Sequence, residues 1–455
     1  MVKKRIRSGG PSADGCENGR AVRRPVRLLL LAFSVLLGAC SATAPSPSPL
    51  STSVPTLAPT EGPTPTPALS PGSSGGALDL AMAAAIAEVE AAVPPLRGLE
   101  LRAEVPNRIL DAAGLHAELL RLFDEAATPA EYAAQSRFGE RMGLLPAGSD
   151  LRALQLALFE EQALGFYDQD TRQMTLVERG SGTFGPLERA TLAHEYTHAL
   201  QDQHFGLADL GLDDLTQGDR ALARLALIEG DASLLMQQWA AENLSFADAM
   251  KVLLQALDPR QQAVLAGMPP ILQRQLMFPY LDGLAFVTGL QAAGGWTAVD
   301  AAYSRPPDST EQILHPEKYT VGEGPVAIAS PDELGRLGAG WAETLGDTLG
   351  ELTISVWLEP SAGAQVAGVA AAAAAGWGGD RVTMYEGPDG AWLIVWSTAW
   401  DTPADAAEFA AAAAASRVRG VRVVGGGPVA ATDRIVLVVL SSDADLLDRL
   451  YPPTR

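Results

Sequence analysis

Cysteine is almost absent from this 455-residue chain: Cys16 and Cys40 are the only two, so no disulfide framework can hold it together. Basic residues are also scarce, with 33 Lys and Arg against 54 Asp and Glu and a net charge of −21. An acidic balance of that size argues against nucleic acid or an anionic lipid surface as the partner. The apolar run near the N-terminus, Leu28 to Ala39, is too short to cross a bilayer. Histidine is rare too. There are five, and three of them, His194, His198 and His204, fall within one short segment.

That segment opens with His194-Glu195-Tyr196-Thr197-His198, the most informative stretch of the sequence. Helix positions four apart share a face, so both imidazoles reach one metal ion. Glu195, one step round, is placed to take a proton from a metal-activated water rather than to bind the metal. The helix is well marked: Gly182, Gly185 and Pro186 punctuate its start, and no Gly or Pro follows before Gly206. Leu187, Ala190, Thr191, His194, His198 and Gln201 run down one side at intervals of three and four, so the ligand face is also the buried face.

Two residues compete to be the third ligand. His204 lies ten residues after His194, the spacing of the metzincin pattern HExxHxxGxxH, but the Gly that turns the chain back in that pattern is Gln201 here. On an unbroken helix six further residues turn through about 600°, which carries His204 off the metal-facing side and toward a role at the helix end or behind the ligands. Glu229 is the better candidate. It lies within an apolar stripe of Leu222, Leu225, Ile228, Ala232, Leu235 and Met236. A carboxylate on a buried face needs a partner, and either a dication brought by the first helix or the nearby Arg224 would serve. Gly230, next in line, allows another backbone or a substrate to approach closely.

These residues resemble the gluzincin branch of the zinc metallopeptidases, in which one helix carries HExxH and a later helix supplies a Glu, often as Glu-Gly-x-Ala; here the run is Glu229-Gly230-Asp231-Ala232. The stretch His194 to Phe205, reading HEYTHALQDQHF, is also similar to a group of bacterial lipoproteins and secreted proteins. The resemblance covers about residues 95 to 320. It implies Zn2+ held by His194, His198 and Glu229, with Glu195 as general base, and hydrolysis of a peptide or protein substrate. The loop from Gly206 to Gly218 has no counterpart in the thermolysin-like members.

Upstream, Gly165 to Val177 reads as a hairpin with a polar turn at Asp168 to Thr171. In the zincins that the chain resembles, a strand just before the metal helix walls the cleft and pairs with extended substrate, while an ordinary core hairpin fits the residues equally well. Peptide hydrolysis needs a donor for the developing oxyanion, and Tyr280, His315 and Tyr319 are the candidates, the last two in a polar run from Ser304 to Tyr319. Ser309 to Gln312 reads equally as a helix cap.

Arg20, Arg23, Arg24 and Arg27 precede the Leu28–Ala39 run, the order of a secretion signal. The run ends in Leu37-Gly38-Ala39-Cys40, which resembles the bacterial lipobox and implies cleavage before Cys40, lipidation of its thiol, and an extracytoplasmic protein anchored to the outer face of the cell membrane. Residues 1–39 carry eight of the 33 basic and two of the 54 acidic residues, so their removal leaves 25 against 52. From Ser41 to Gly76 the chain is mostly Pro, Ser, Thr, Ala and Gly, a disordered tether about 100 Å long at full reach.

The fold class expected is α+β: residues 77–330 as a mostly helical, zincin-like domain with the single hairpin, and 331–455 as a small α+β domain. In the latter, Asp380 to Trp396 reads as strand, turn and strand, followed by a helix from Pro403 to Ser416. A second strand pair, at 421–424 and 434–440, is followed by a helix from Asp443 to Tyr451. This part contains no His and no Cys, so packing against the cleft or shielding it is its expected role. The functional alternatives to a peptidase are a zinc-containing surface binding or assembly protein that does no hydrolysis, and an amide hydrolase acting on cell-wall material.

Overall fold

The computed structural model describes residues 30–33, 80–178, 184–257, 259–329, 332–362, 366–416, 418, 420–425 and 434–452. Cys40 and the tether lie outside these residues, as does all of the leader except Leu30–Phe33.

Local capping sets several of the helix starts. After strand β1 (Leu30–Phe33), helix α1 (Leu80–Arg97) and strand β2 (Asn107–Leu110), Asp111 accepts from Gly114 N to open α2 (Ala112–Ala126). Thr128 and Glu131 form a capping box on α3 (Pro129–Met142), and Asp150 caps α4 (Leu151–Gln162). The hairpin follows as β3 (Ala163–Asp168) and β4 (Gln173–Val177), with Asp168 Oδ1 accepting from Asp170 N and Thr171 N in the turn. Pro186 opens α5 (Pro186–Phe205), the helix of the HExxH motif, and Gly206, in the left-handed region at φ 69°, closes it.

These strands form a mixed sheet in the order β1-β3-β4-β2, antiparallel except for β2 beside β4. The leader strand β1 pairs with the outer edge of β3 and lies against α5. The helices continue with α6 (Gly218–Asn243), α7 (Phe246–Ala256), α8 (Pro259–Gly267), α9 (Pro270–Ser304, broken at Gly294 and Gly295), α10 (Thr310–Leu314) and α11 (Pro316–Val321). Between α5, α6 and α9 runs an apolar core that includes Ala223, Leu227, Phe278, Phe286 and Val287. Among the described residues no helix is long and apolar enough to cross a membrane.

The C-terminal part is α12 (Leu334–Leu337), β5 (Ala342–Asp347), α13 (Gly350–Ala362), α14 (Val366–Ala374), β6 (Trp377–Glu386), β7 (Trp392–Trp400), α15 (Pro403–Ala414), β8 (Val421–Gly425), β9 (Ile435–Ser441) and α16 (Ala444–Leu450). Its five strands form an antiparallel sheet, β5-β6-β7-β9-β8. Side chains alternate across it. Ile394, Trp396, Val436 and Val438 face α13–α15, while Leu393, Val395 and Val439 face α16. The class is therefore α+β, and the four C-terminal strands expected from the sequence are present together with β5.

The two parts share a core. Ala134, Phe138 and Met142 of α3 pack into the same cluster as Trp357, Trp377, Trp396 and Phe409. Trp357 Nε1 donates to Met142 O at 2.9 Å, and Arg137 and Arg141 each reach Glu386 at 2.7 Å. A boundary drawn at residue 331 in the sequence thus does not separate two hydrophobic interiors.

Candidate metal centre

One helical turn separates His194 from His198 on α5, and their Nε2 atoms lie 3.0 Å apart. Glu229 of α6 closes a triangle, its Oε2 3.0 Å from His194 Nε2 and 3.5 Å from His198 Nε2. All three side chains are buried. A tetrahedral zinc ion about 2.0–2.1 Å from each donor would hold them roughly 3.3 Å apart, and the observed edges bracket that value. Ring nitrogens and a carboxylate converging on one point of a dry interior form a group that could hold a metal ion. Two imidazoles and a carboxylate suit Zn2+.

The electrostatics agree. Burial raises the Glu229 carboxyl, but the two imidazoles outweigh it and bring the group down to about 2. Burial lowers His194. It lowers His198 as well, yet Glu229 and Glu195 prevail and push that imidazole up to about 9. Glu229 thus keeps its negative charge among the three donors and favours positive charge on His198.

Glu195 is fully buried beside the triangle. Gly165 of β3 lies against it: a Cβ there would touch Glu195 Cγ at an ordinary 3.5 Å and crowd Thr175 O at 3.0 Å. A glycine pair brings in the third helix. A Cβ on Gly230 would fall 2.3 Å from Gly283 O, and one on Gly283 would fall 2.3 Å from Ala226 O, so α6 and α9 cross backbone to backbone. This crossing sets Tyr280, one turn before Gly283, against the centre. Its ring stacks 6.2 Å from that of His194, and its hydroxyl bonds to Glu229. Burial, then the charges of Glu229 and Glu195, raise the phenol well above its ordinary range, so it remains a protonated donor.

Two supports behind the ligands were not assigned from the sequence. Gln201 Oε1 lies 2.8 Å from His198 Nδ1. Asp231 takes a bidentate pair from the fully buried Arg97 at 2.8 and 3.0 Å and a bond from Tyr303 at 2.8 Å, while Arg97 also reaches Asp300 and lies over Trp296. Gln201 was visible as part of the ligand face. Arg97 lies 134 positions from Asp231 and carried no local signal.

Other candidates lie elsewhere. His204 Nε2 is 2.7 Å from Glu100 O, so the fold gives it a place at the helix end. Arg224 bonds to Asp308 and Leu210 O rather than to Glu229. His315 faces Glu351 at 3.0 Å and Glu317 at 3.8 Å, and Tyr319 donates to Arg305 O at 2.9 Å; neither is brought to the triangle. Ser309 caps α10 through Gln312 N. A second convergence of acidic oxygens, Glu311, Glu323 and Asp401, already holds the Lys318 ammonium.

Fold and site together define a mixed α+β protein with a buried His–His–Glu group able to bind a metal ion. Residues 339–446 match the model of a family described as a domain of unknown function, DUF8575, which covers the five strands of the C-terminal sheet and helices α13 to α15. No curated protein and no solved structure matches the chain.

Proposed function

We propose that this chain is a zinc-dependent peptidase of gluzincin type, held outside the cytoplasm by a lipid on Cys40. The observation that carries the reading is the triangle of His194, His198 and Glu229 beside the buried carboxylate of Glu195. Zinc, when bound, supplies a Lewis acid that polarises the scissile carbonyl and acidifies water. Glu195 takes the proton of the attacking water and hands it to the departing amine. Tyr280 keeps its own proton and donates to the oxygen on which charge develops. The substrate lies extended along β3. That edge pairs antiparallel with Leu30–Phe33 in the structure, which supports its capacity to accept a peptide backbone.

The test is zinc content and peptide-library cleavage for the wild-type chain and three variants. One zinc per chain is expected in wild type, Glu195→Gln and His204→Ala, and none in Glu229→Ala. Activity should fall by at least about a hundredfold in Glu195→Gln. Zinc retained in Glu229→Ala but lost in His204→Ala would reassign the third ligand. Zinc without cleavage of any peptide would favour a binding protein.

A further inference from the structure

We infer that Gln201 is a positioning residue that fixes the tautomer and direction of His198, its own amide being oriented by a bond to the helix of the third ligand. The inference rests on the zinc reading above. Gln201 is fully buried, one turn beyond His198 on α5. Its Nε2 donates to Ile228 O at 3.0 Å. A carbonyl only accepts, so this bond fixes which end of the amide is nitrogen. The amide oxygen therefore faces His198 at 2.8 Å, and His198 Nδ1 must carry the hydrogen. In the neutral ring that binds a metal, this leaves the Nε2 lone pair of His198 aimed at the point between His194 and Glu229.

The anchor carbonyl belongs to Ile228, the residue immediately before Glu229. One amide thus holds a ligand of α5 in register with the ligand of α6. The two histidines differ in this: the Nδ1 of His194 is buried with no hydrogen-bond partner among the described residues. His198 depends on Gln201. A glycine at this position, as in the HExxHxxG pattern, could neither orient the ring nor reach the second helix.

Two substitutions separate orientation from simple packing. Gln201→Leu keeps most of the volume and removes both bonds. Gln201→Glu keeps an acceptor for His198 Nδ1–H but, as a carboxylate, no donor for Ile228 O. Zinc dissociation constants are measured on the full chain by chelator competition, beside the visible spectrum of the Co2+-substituted protein. Gln201→Leu is expected to bind zinc about 10–100-fold more weakly and to shift the Co2+ bands. Gln201→Glu should stay within about fivefold of wild type with an unshifted spectrum. Equal affinity in wild type and Gln201→Leu would overturn the inference alone. Equal weakening in both variants would assign the effect to the Ile228 tie and overturn the orienting role. Failure of the wild-type chain to bind zinc would remove the zinc reading and this inference together.

Discussion

Tyr280 sits where a single hydroxyl decides between packing and chemistry. Its ring is buried and stacks near His194, while its hydroxyl bonds to Glu229. Tyr280→Phe keeps the packing and removes only the oxygen. Zinc content should remain at one per chain, and kcat should fall by about 10²–10³ with KM within a few-fold, the signature of a donor used in the transition state. A rise in KM with kcat unchanged would reduce Tyr280 to a ground-state contact. The sequence made several of these residues legible for physical reasons. His194, Glu195 and His198 follow from helix periodicity, and Glu229 stands out as a carboxylate inside an apolar stripe. His315 did not separate from structural residues, because a polar run between apolar helices reads the same whether it binds substrate or pairs with Glu351 on a distant helix.

Among the elements, the hairpin and the strand pairs β6–β7 and β8–β9 were readable from alternation and turn residues, whereas β2, β5 and α13 were not. β2 has four residues, and its parallel pairing with β4 depends on a crossover of three helices and a strand that no local pattern encodes. β5 reads Ala-Glu-Thr-Leu-Gly-Asp, too polar to stand out, and lies at a sheet edge. α13 contains Thr353, Ile354, Val356 and Pro360, a run that fits a strand as well as a helix. Asp380 resolves the ambiguity by accepting from Leu349 N and Gly350 N at the helix start. The crossing of α6 and α9 was legible only as Gly230, and it gives the sharpest test at this scale. Gly230→Ala forces a methyl into the Gly283 carbonyl, so the helices must part. A loss of about 2–4 kcal/mol is expected in urea unfolding, together with weakened zinc binding, because Glu229 is the adjacent residue. Gly289→Ala, on the same α9 with open space around its Cβ, should be neutral or gain up to about 1 kcal/mol from helix propensity. Equal effects of the two substitutions would refute close backbone contact as the reason for Gly230.

For the molecule as a whole, the helix that carries Glu229 begins inside the junction with the C-terminal sheet. Gly218 N donates to Asp347 at 2.8 Å, and Thr310 Oγ1 donates to Asp219 at 2.6 Å. Gly350, at φ 74°, lies so close to Asp219 that no side chain fits there. Burial raises Asp219 to about 8, with Asp380 and Glu311 adding to it against the bonds from Thr310. It raises Asp347 to about 7, and Asp380 upward as well. Raised carboxylates hold protons in the fold that the unfolded chain has released. Their stabilisation is fully present below the ordinary carboxylate range and is lost as pH rises through about 7–8. Glu386 has the opposite sign: Arg137 and Arg141 bring it down to about 2, so its contribution is lost only as pH falls from its ordinary 4.5 toward that value. Stability should therefore be greatest in mild acid. With chelator present to remove any zinc linkage, the melting temperature is expected to be lower at about pH 9 than at about pH 5.5 by roughly 5 °C or more. Asp219→Asn keeps an acceptor for Thr310 and removes the titration, so it should flatten the slope above about pH 6 and raise the melting temperature on the alkaline side. A wild-type chain with no slope between these values, or an Asn variant that follows the wild-type curve, would show that the buried carboxylates at the junction are not what couples the two parts of the molecule to pH.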